Sequence, residues 1–290
     1  MIEKYREAGR IAKNVMEFGL KLIKVDASYL DIVESIEKRI HELGAKPAFP
    51  VNISINNIGA HDTADLNDSR VLKEGDLVKL DIGVHVDGYI ADMARTVSLG
   101  SEDEEMIKVA ERALKEAIKN MIPGNNVSTV SSIIEDTIKD SCFRPIVNLT
   151  GHGLDRYDLH AKLEFPNVRT NINYELKEGD VFALEPFVTN GAGMVKETNK
   201  VLIYRLISES PTRMRESRKI LAMARNYSGL PFSKRWIASG ISPVKLNLIL
   251  KQLVDNGSLY EYPVLREADN GNIAQAEDTV VVRDRPEVIT

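Results

Sequence analysis

Cysteine is almost absent. Cys142 stands alone in 290 residues, so no intramolecular disulfide can form and the chain suits a reducing compartment. The single thiol is expected to be a small buried residue on a helix rather than a nucleophile. Long apolar runs are missing as well. No stretch approaches the roughly 18 apolar residues of a spanning helix, and Met1 to Arg10 mixes acids and bases with no apolar signal-like region. A soluble, unexported, cytoplasmic protein with no membrane partner is expected. There is no Gly-rich phosphate loop, serine elbow or paired CxxC, which removes the common signatures of nucleotide, serine-hydrolase and thiol chemistry. A net charge of −5 and a pI near 5.7 argue against general nucleic-acid binding by the main body, and DNA is not an expected partner.

Positive charge is instead concentrated. Ser210 to Gly257 holds nine Lys or Arg against two acids, a net +7 that leaves −12 for the remainder. At 290 residues the chain exceeds the size at which one hydrophobic core keeps growing, which suits a duplicated domain carrying an added module.

The duplication is visible. Leu72-Lys73-Glu74-Gly75-Asp76 recurs as Leu176-Lys177-Glu178-Gly179-Asp180, and the same offset of 104 carries Asp81 onto Glu185. Each copy is a turn feeding a β-run that ends in an acid. If the copies pack about a pseudo-twofold axis, their carboxylates meet. Two carboxylates in a partly buried site repel by several kcal/mol unless a proton or cation neutralises them, so the repeat predicts a cationic occupant.

The flanking periodicity repeats too. Ile11, Val15, Phe18 and Leu22 mark one amphipathic helix, and Ser28 to Leu43 a second, stopped by Gly44. After the strands, Ser101-Glu102-Asp103-Glu104 reads as a capping box, followed by helices ending at Pro123-Gly124 and running from Ser128 to about Cys142. The order helix, helix, β-run with an acid therefore occurs twice, which predicts an α+β fold of two similar halves. Turn clusters precede His61 and His152 at comparable places, so the two histidines are expected to be pseudo-symmetric. Beyond Tyr204, a basic helix, a Pro-containing loop, a helix capped by Ser242-Pro243 and the run Leu259-Tyr260-Glu261-Tyr262 outline a winged-helix-like module. Gln275 to Val282 reads as a returning strand. The expected layout is a catalytic domain 1–208, in halves of about 1–100 and 101–208, an insert 209–266 and a C-terminal return 267–290.

Asp81 and Asp92 can face each other on the arms of a hairpin turning at Val84 to Gly88. Alone, such a pair is an ordinary feature of a protein surface. Here Asp81 lies inside an apolar strand, Glu185 mirrors it, and Glu277 precedes another β-branched run with no base placed beside it. Carboxylates with an imidazole form a hard donor set suited to two divalent ions with bridging carboxylates, which is hydrolytic chemistry. His61, His152 and His160 sit in loops beside small residues, and His152 is the best ligand candidate. His41 and His85 are assigned no chemistry.

These residues carry a resemblance. Lys46-Pro47-Ala48-Phe49-Pro50-Val51-Asn52, Ser54-Ile55-Asn56-Asn57 through His61, Asn148-Leu149-Thr150-Gly151-His152, Tyr157-Asp158-Leu159-His160, Phe182-Ala183-Leu184-Glu185-Pro186-Phe187 and Gln275-Ala276-Glu277-Asp278-Thr279 together resemble the type 2 methionine aminopeptidases in their short archaeal form, over essentially the whole chain. The resemblance implies the pita-bread fold with an inserted helical subdomain. It also implies two divalent ions (Co, Mn, Fe, Zn or Ni) on Asp81, Asp92, His152, Glu185 and Glu277, with Asp92 and Glu277 bridging. His61 and His160 would contact the substrate and stabilise the tetrahedral intermediate, and Glu185 would accept a proton. Phe49, Leu159, Phe187 and Tyr262 would line the methionine pocket. The implied reaction is removal of the initiator methionine from nascent chains by a metal-bridged hydroxide, with a small second residue preferred. The chain departs from the family pattern at Ala276 and Asp278, where Phe and His are usual, and at Asp62-Thr63-Ala64, where Tyr-Thr-Pro is usual. An acid beside Glu277 is expected to raise its pKa or shift metal preference.

Rival readings are an X-Pro peptidase or prolidase, which would share fold and metals, and a non-catalytic RNA- or protein-binding relative, which would be expected to have lost ligands. The basic insert is expected either to meet ribosomal RNA, through residues such as Arg213, Arg215, Arg218 and Lys219, or to be a solvated helical face framing the cleft.

Overall fold

The computed structural model describes residues 1–290 except Arg213, and Lys162 through its backbone alone. Helix α1 (Ile2–Leu20) buries Tyr5, Ala8, Ile11, Ala12, Val15 and Met16. Helix α2 (Tyr29–Glu42) starts where the Ser28 hydroxyl accepts the Asp31 N–H at 3.2 Å, and buries Ile32, Val33, Ile36 and Ile40. Both apolar stripes close over the hairpin Leu77–Val86 and Tyr89–Ser98, with Asn52–Ile55 paired along its other edge. The hairpin turns at Asp87 and Gly88, whose φ values of 52° and 90° are those of a tight two-residue turn, within the expected Val84 to Gly88 but with the first strand continuing to Val86.

The second half repeats this arrangement. Helices α3 (Glu104–Ile118) and α4 (Val127–Lys139) cover a sheet whose central strands are Val181–Leu184 and Thr150–Asp155, flanked by Asp158–Pro166 and Asp278–Val281. The expected capping box does not form. Ser101 Oγ accepts the Asp103 N–H at 3.2 Å in the preceding turn, and α3 starts at Glu104 without a side-chain cap. Cys142 lies beyond the end of α4 and is exposed, not buried on a helix, because α4 stops three residues earlier. The two halves each hold a core under their own helix pair, with the sheets inside, which is the pita-bread arrangement of an α+β chain.

Strand Val195–Leu206 then leads out to α5 (Arg215–Ala224) and α6 (Pro243–Asp255), which share a separate apolar cluster around Ile220, Phe232, Leu246 and Leu250. The chain returns along Leu259–Glu267. This last element pairs with Val195–Leu206 along its length and with Ile58–Ala60 beyond, so it belongs to a sheet of the main body and is not a free ribbon. Much of the segment's positive charge is paired: Arg235 with Glu37 at 2.8 and 2.9 Å, Lys234 with Asp65 at 2.7 Å, Arg225 with Glu209 and Lys245 with Glu216. Arg213, one of the expected RNA contacts, lies outside the described residues. Among the described residues no helix is long and apolar enough to cross a membrane.

Candidate metal centre

The first two acids come from the hairpin. Asp81 pairs with Ala94 and Asp92 with Gly83, so the carboxylates are diagonal neighbours offset by two residue pairs, not directly opposite as the sequence spacing suggested. Thr279 fixes Asp92 from across the interface between the halves: its hydroxyl accepts the Asp92 N–H at 2.8 Å and donates to the Asp92 carbonyl at 2.8 Å. Gly83 is needed for a neighbour, since a Cβ there would lie 2.2 Å from the Phe49 ring.

The other ligands come from the second half. Glu185 follows strand Val181–Leu184, and His152 pairs with Ala183 on the adjoining strand, so its Nε2 lies 3.7 Å from Glu185 and 3.8 Å from Asp92. The expected strand Gln275–Val282 is broken. Ile273–Gln275 pairs with Phe187–Thr189 and Asp278–Val281 with Val181–Leu184, while Glu277, between them, bridges to Ala94 of the first half. That break turns Glu277 into the same cavity. Ligand atoms of Asp92, His152 and Glu277 lie within 4.8 Å of one another, all three residues buried, with Asp81 and Glu185 completing the wall.

Register also settles the symmetry. Asp81 and Glu185 are related by the 104-residue offset, but His152 and His61 are not counterparts. His152 pairs with Ala183, Ser54 pairs with Lys79, and Ala183 is Lys79 moved by 104, so Ser54 is the equivalent of His152. By the same rule Asp92, opposite Gly83, corresponds to Gln275, opposite Phe187. Gln275 is a residue that sequence reasoning gave no role. Its Nε2 donates to Glu277 at 3.0 Å and Glu185 at 3.4 Å, holding both carboxylates.

The cluster is electrostatically incomplete as bare protein. Burial pushes Asp81 up to about 7, and burial followed by mutual repulsion holds Asp92, Glu185 and Glu277 well above the usual carboxylate range. Asp81 Oδ1 and Asp92 Oδ1 are shielded from solvent with no hydrogen-bond partner among the described residues. Four such carboxylates with one imidazole, and no neutralising base among them, are the donor set of a divalent cation. His152, pushed down to about 4 by burial, is neutral and available as a ligand.

Above the carboxylates is a cavity of about 520 Å³. Its apolar side includes Phe49, Leu159, Phe187 and Tyr262, each less than a tenth exposed. His61 and His160 line it too, both pushed down by burial, His160 to about 3. The rings form a row: His61 is 5.3 Å from Tyr262, Tyr262 6.4 Å from His160, and His160 4.6 Å from His152. His61 Nδ1 lies 3.1 Å from the Pro263 carbonyl, which can only accept, so Nδ1 carries the proton and Nε2 of the neutral ring is an acceptor. All eleven site residues expected from the sequence therefore line one cavity.

The departures from the family pattern have partners. Asp278 accepts from Arg95 Nη2 at 2.6 Å and from the Thr290 hydroxyl at 3.1 Å, and it is the weakest of the nearby acids in raising Glu277. Arg95 also donates to the Glu277 carbonyl at 2.5 Å. Asp62 is buried and accepts from Arg70 at 2.7 Å and Lys200 at 2.9 Å, which anchors the chain immediately after His61, itself at φ 63°.

Two packed half-folds that bring acids from both to a buried cation site beside an apolar, histidine-edged cavity define a metallohydrolase. The chain belongs to metallopeptidase family M24, whose profile matches residues 3–205. It is 48% identical over 291 aligned residues to the methionine aminopeptidase of Pyrococcus abyssi, covering 100% of this chain and 99% of that one. It is 43% identical to that of Methanocaldococcus jannaschii, covering 99% and 97%. Among solved structures, a thermophilic Arx1 superposes with a TM-score of 0.87 at 18% identity over 99% of this chain and 89% of that one, and a Thermotoga maritima methionine aminopeptidase with 0.72 at 22% identity over 100% and 96%. Those two likenesses concern the fold alone.

Proposed function

We propose that this chain is an aminopeptidase that removes N-terminal methionine from nascent polypeptides, using two divalent ions held by Asp81, Asp92, His152, Glu185 and Glu277. The observation that carries this reading is the set of buried, uncompensated carboxylates closing one end of an apolar cavity, and full-length similarity to methionine aminopeptidases supports it. Bound divalent ions supply Lewis acidity and lower the pKa of water. The chain's residues do the rest. Phe49, Leu159, Phe187 and Tyr262 enclose the methionine side chain. His61, with its proton on Nδ1, offers Nε2 to a substrate N–H, while neutral His160 donates to the developing oxyanion. Glu185 accepts a proton. Asp92 and Glu277 lie where the halves meet and would both hold the ions. A small second residue is the expected preference.

We read residues 209–266 as an insert that frames the cleft, since Pro231, Tyr260 and Tyr262 line the cavity and Arg235 and Lys234 tie the segment to the body. Arg215 and Lys219 on its exposed face favour a second role, contact with ribosomal RNA in the cytoplasm. Loss of ribosome co-sedimentation on reversing Arg215, Arg218 and Lys219 to Glu would support it, and unchanged binding would remove it.

The deciding experiment is release of methionine from Met-Ala-Ser by the purified protein with Mn²⁺ or Co²⁺, beside a chelated control and Ala-Pro-Ala. Metal-dependent cleavage of the first peptide alone is expected. Cleavage of only the proline peptide would move the chain to the X-Pro peptidases, and cleavage of neither would leave a binding protein.

A further inference from the structure

One group in the cavity has no task in the chemistry above. Among the described residues, Arg205 is the only Lys or Arg in the lining, against the carboxylates Asp81, Asp92, Glu164, Glu185 and Glu277. Among the described residues its Nε is shielded from solvent without an acceptor, a costly arrangement for a cation unless a ligand completes it. The guanidinium is held 5.9 Å over the Tyr260 ring, and its charge reaches inward far enough to help lower His160.

The strand register gives its place. Arg205 is opposite Tyr260, and Ile203 is opposite Tyr262, in the antiparallel pair Val195–Leu206 and Leu259–Glu267. All four side chains face the cavity. Ile203 and Tyr262 are buried, whereas Tyr260 is 48% exposed, so the Arg205 level is the outer one. Two residues along a strand advance about 7 Å. An extended substrate advances at the same rate, so a peptide with its methionine against Tyr262 brings its third residue to the level of Arg205.

We propose that Arg205 is an anion subsite that recognises a carboxylate at the third residue of the substrate, carried by its side chain or, in a tripeptide, by its terminus. This deepens the aminopeptidase reading and rests on it. Glu164 on this cavity, and Glu197 on the adjoining one beyond Tyr260, are exposed acids to which a cationic third residue can turn. The informative contrast is therefore acid against its neutral isostere.

The test uses the Mn²⁺-loaded enzyme with Met-Ala-Asp-Ser-amide against Met-Ala-Asn-Ser-amide, and Met-Ala-Asn as free acid against its amide. Wild type is expected to favour the acidic member of a pair by about fivefold in kcat/KM at low salt, shrinking toward equality in about 0.5 M salt. The first pair reads the side-chain source, the second the terminal source. In Arg205→Gln the preference should fall to about one, and Arg205→Lys should keep part of it. Equal rates within both pairs for wild type, or an undiminished preference in Arg205→Gln, would overturn the subsite. If Arg205→Gln does not fold, the wild-type ratio and its salt dependence decide. Failure of every peptide would remove the aminopeptidase reading and this subsite with it, whereas equal cleavage of all four removes the subsite alone.

Discussion

The first half presents its two acids on one unbroken hairpin, whereas the second half presents Glu185 and Glu277 at breaks between strands, with Gln275 two residues before Glu277. Where the first half has Asp92, the second has neutral Gln275, and where the first has Ala94, the second has Glu277. The acid has moved by two residues along the chain. A strictly symmetric second half would carry an acid at 275, diagonal to Glu185, and no amide there to hold it. The displaced arrangement keeps four carboxylates and supplies a fixed amide donor to two of them, so duplication provides the geometry and its breakdown tunes the charge.

Removing a ligand breaks the comparison most severely. Asp92→Ala should lower metal-dependent kcat/KM by about a thousandfold, the loss of several kcal/mol of transition-state stabilisation, as read from methionine release. Gln275→Ala leaves the charge intact and removes the amide, and should weaken Mn²⁺ binding by about 10- to 100-fold by calorimetry. An unchanged affinity would mean that Gln275 fills space only. Gly83 and Phe187 are counterparts under the offset, and the Phe49 ring occupies what a side chain at 83 would fill. Gly83→Ala should therefore displace that ring and raise KM for methionine substrates by about tenfold, with a smaller change in kcat.

The smallest effect is on stability. Unfolded carboxyls lose their protons near pH 4, whereas folded Asp81 keeps its proton to about 7 and burial and mutual repulsion hold the other three well above the usual carboxylate range. Over that window the folded state binds more protons, so the metal-free protein should lose stability as pH rises from about 4 to 7. A melting series should show that decline, shallower in Asp81→Asn and reversed by Mn²⁺. A metal-free Tm that rises over this range would contradict the site's electrostatics.

What the sequence disclosed was largely what repetition and strand periodicity can carry. The 104-residue offset placed Asp81 and Glu185 together, hairpin spacing, an unpartnered acid and glycine neighbours pointed to Asp92, Glu277 and His152, and the family resemblance implied all five as ligands. Antiparallel pairing lay outside it. A linear offset cannot show that His152 corresponds to Ser54, that Asp81 and Asp92 are diagonal, or that a strand break delivers Glu277, because each depends on which residues pair across chains of hydrogen bonds. Gln275, Thr279 and Arg95 were missed for the same reason. Gln275 and Glu185, Thr279 and Asp92, and Arg95 and Glu277 are each more than eighty residues apart in the sequence, and amides, hydroxyls and guanidinium groups at strand positions are common enough to give no local signal.

The bridge between Ala94 and Glu277 has a consequence for how the protein is made. Synthesis delivers the hairpin early, but Glu277, together with Thr279 that pins Asp92, emerges only after α5 and α6 have left the ribosome. The centre is closed by one of the longest-range contacts in the fold, a late and slow kind of event in folding. In a growing chain the acid set is therefore incomplete until the final segment has paired with both halves.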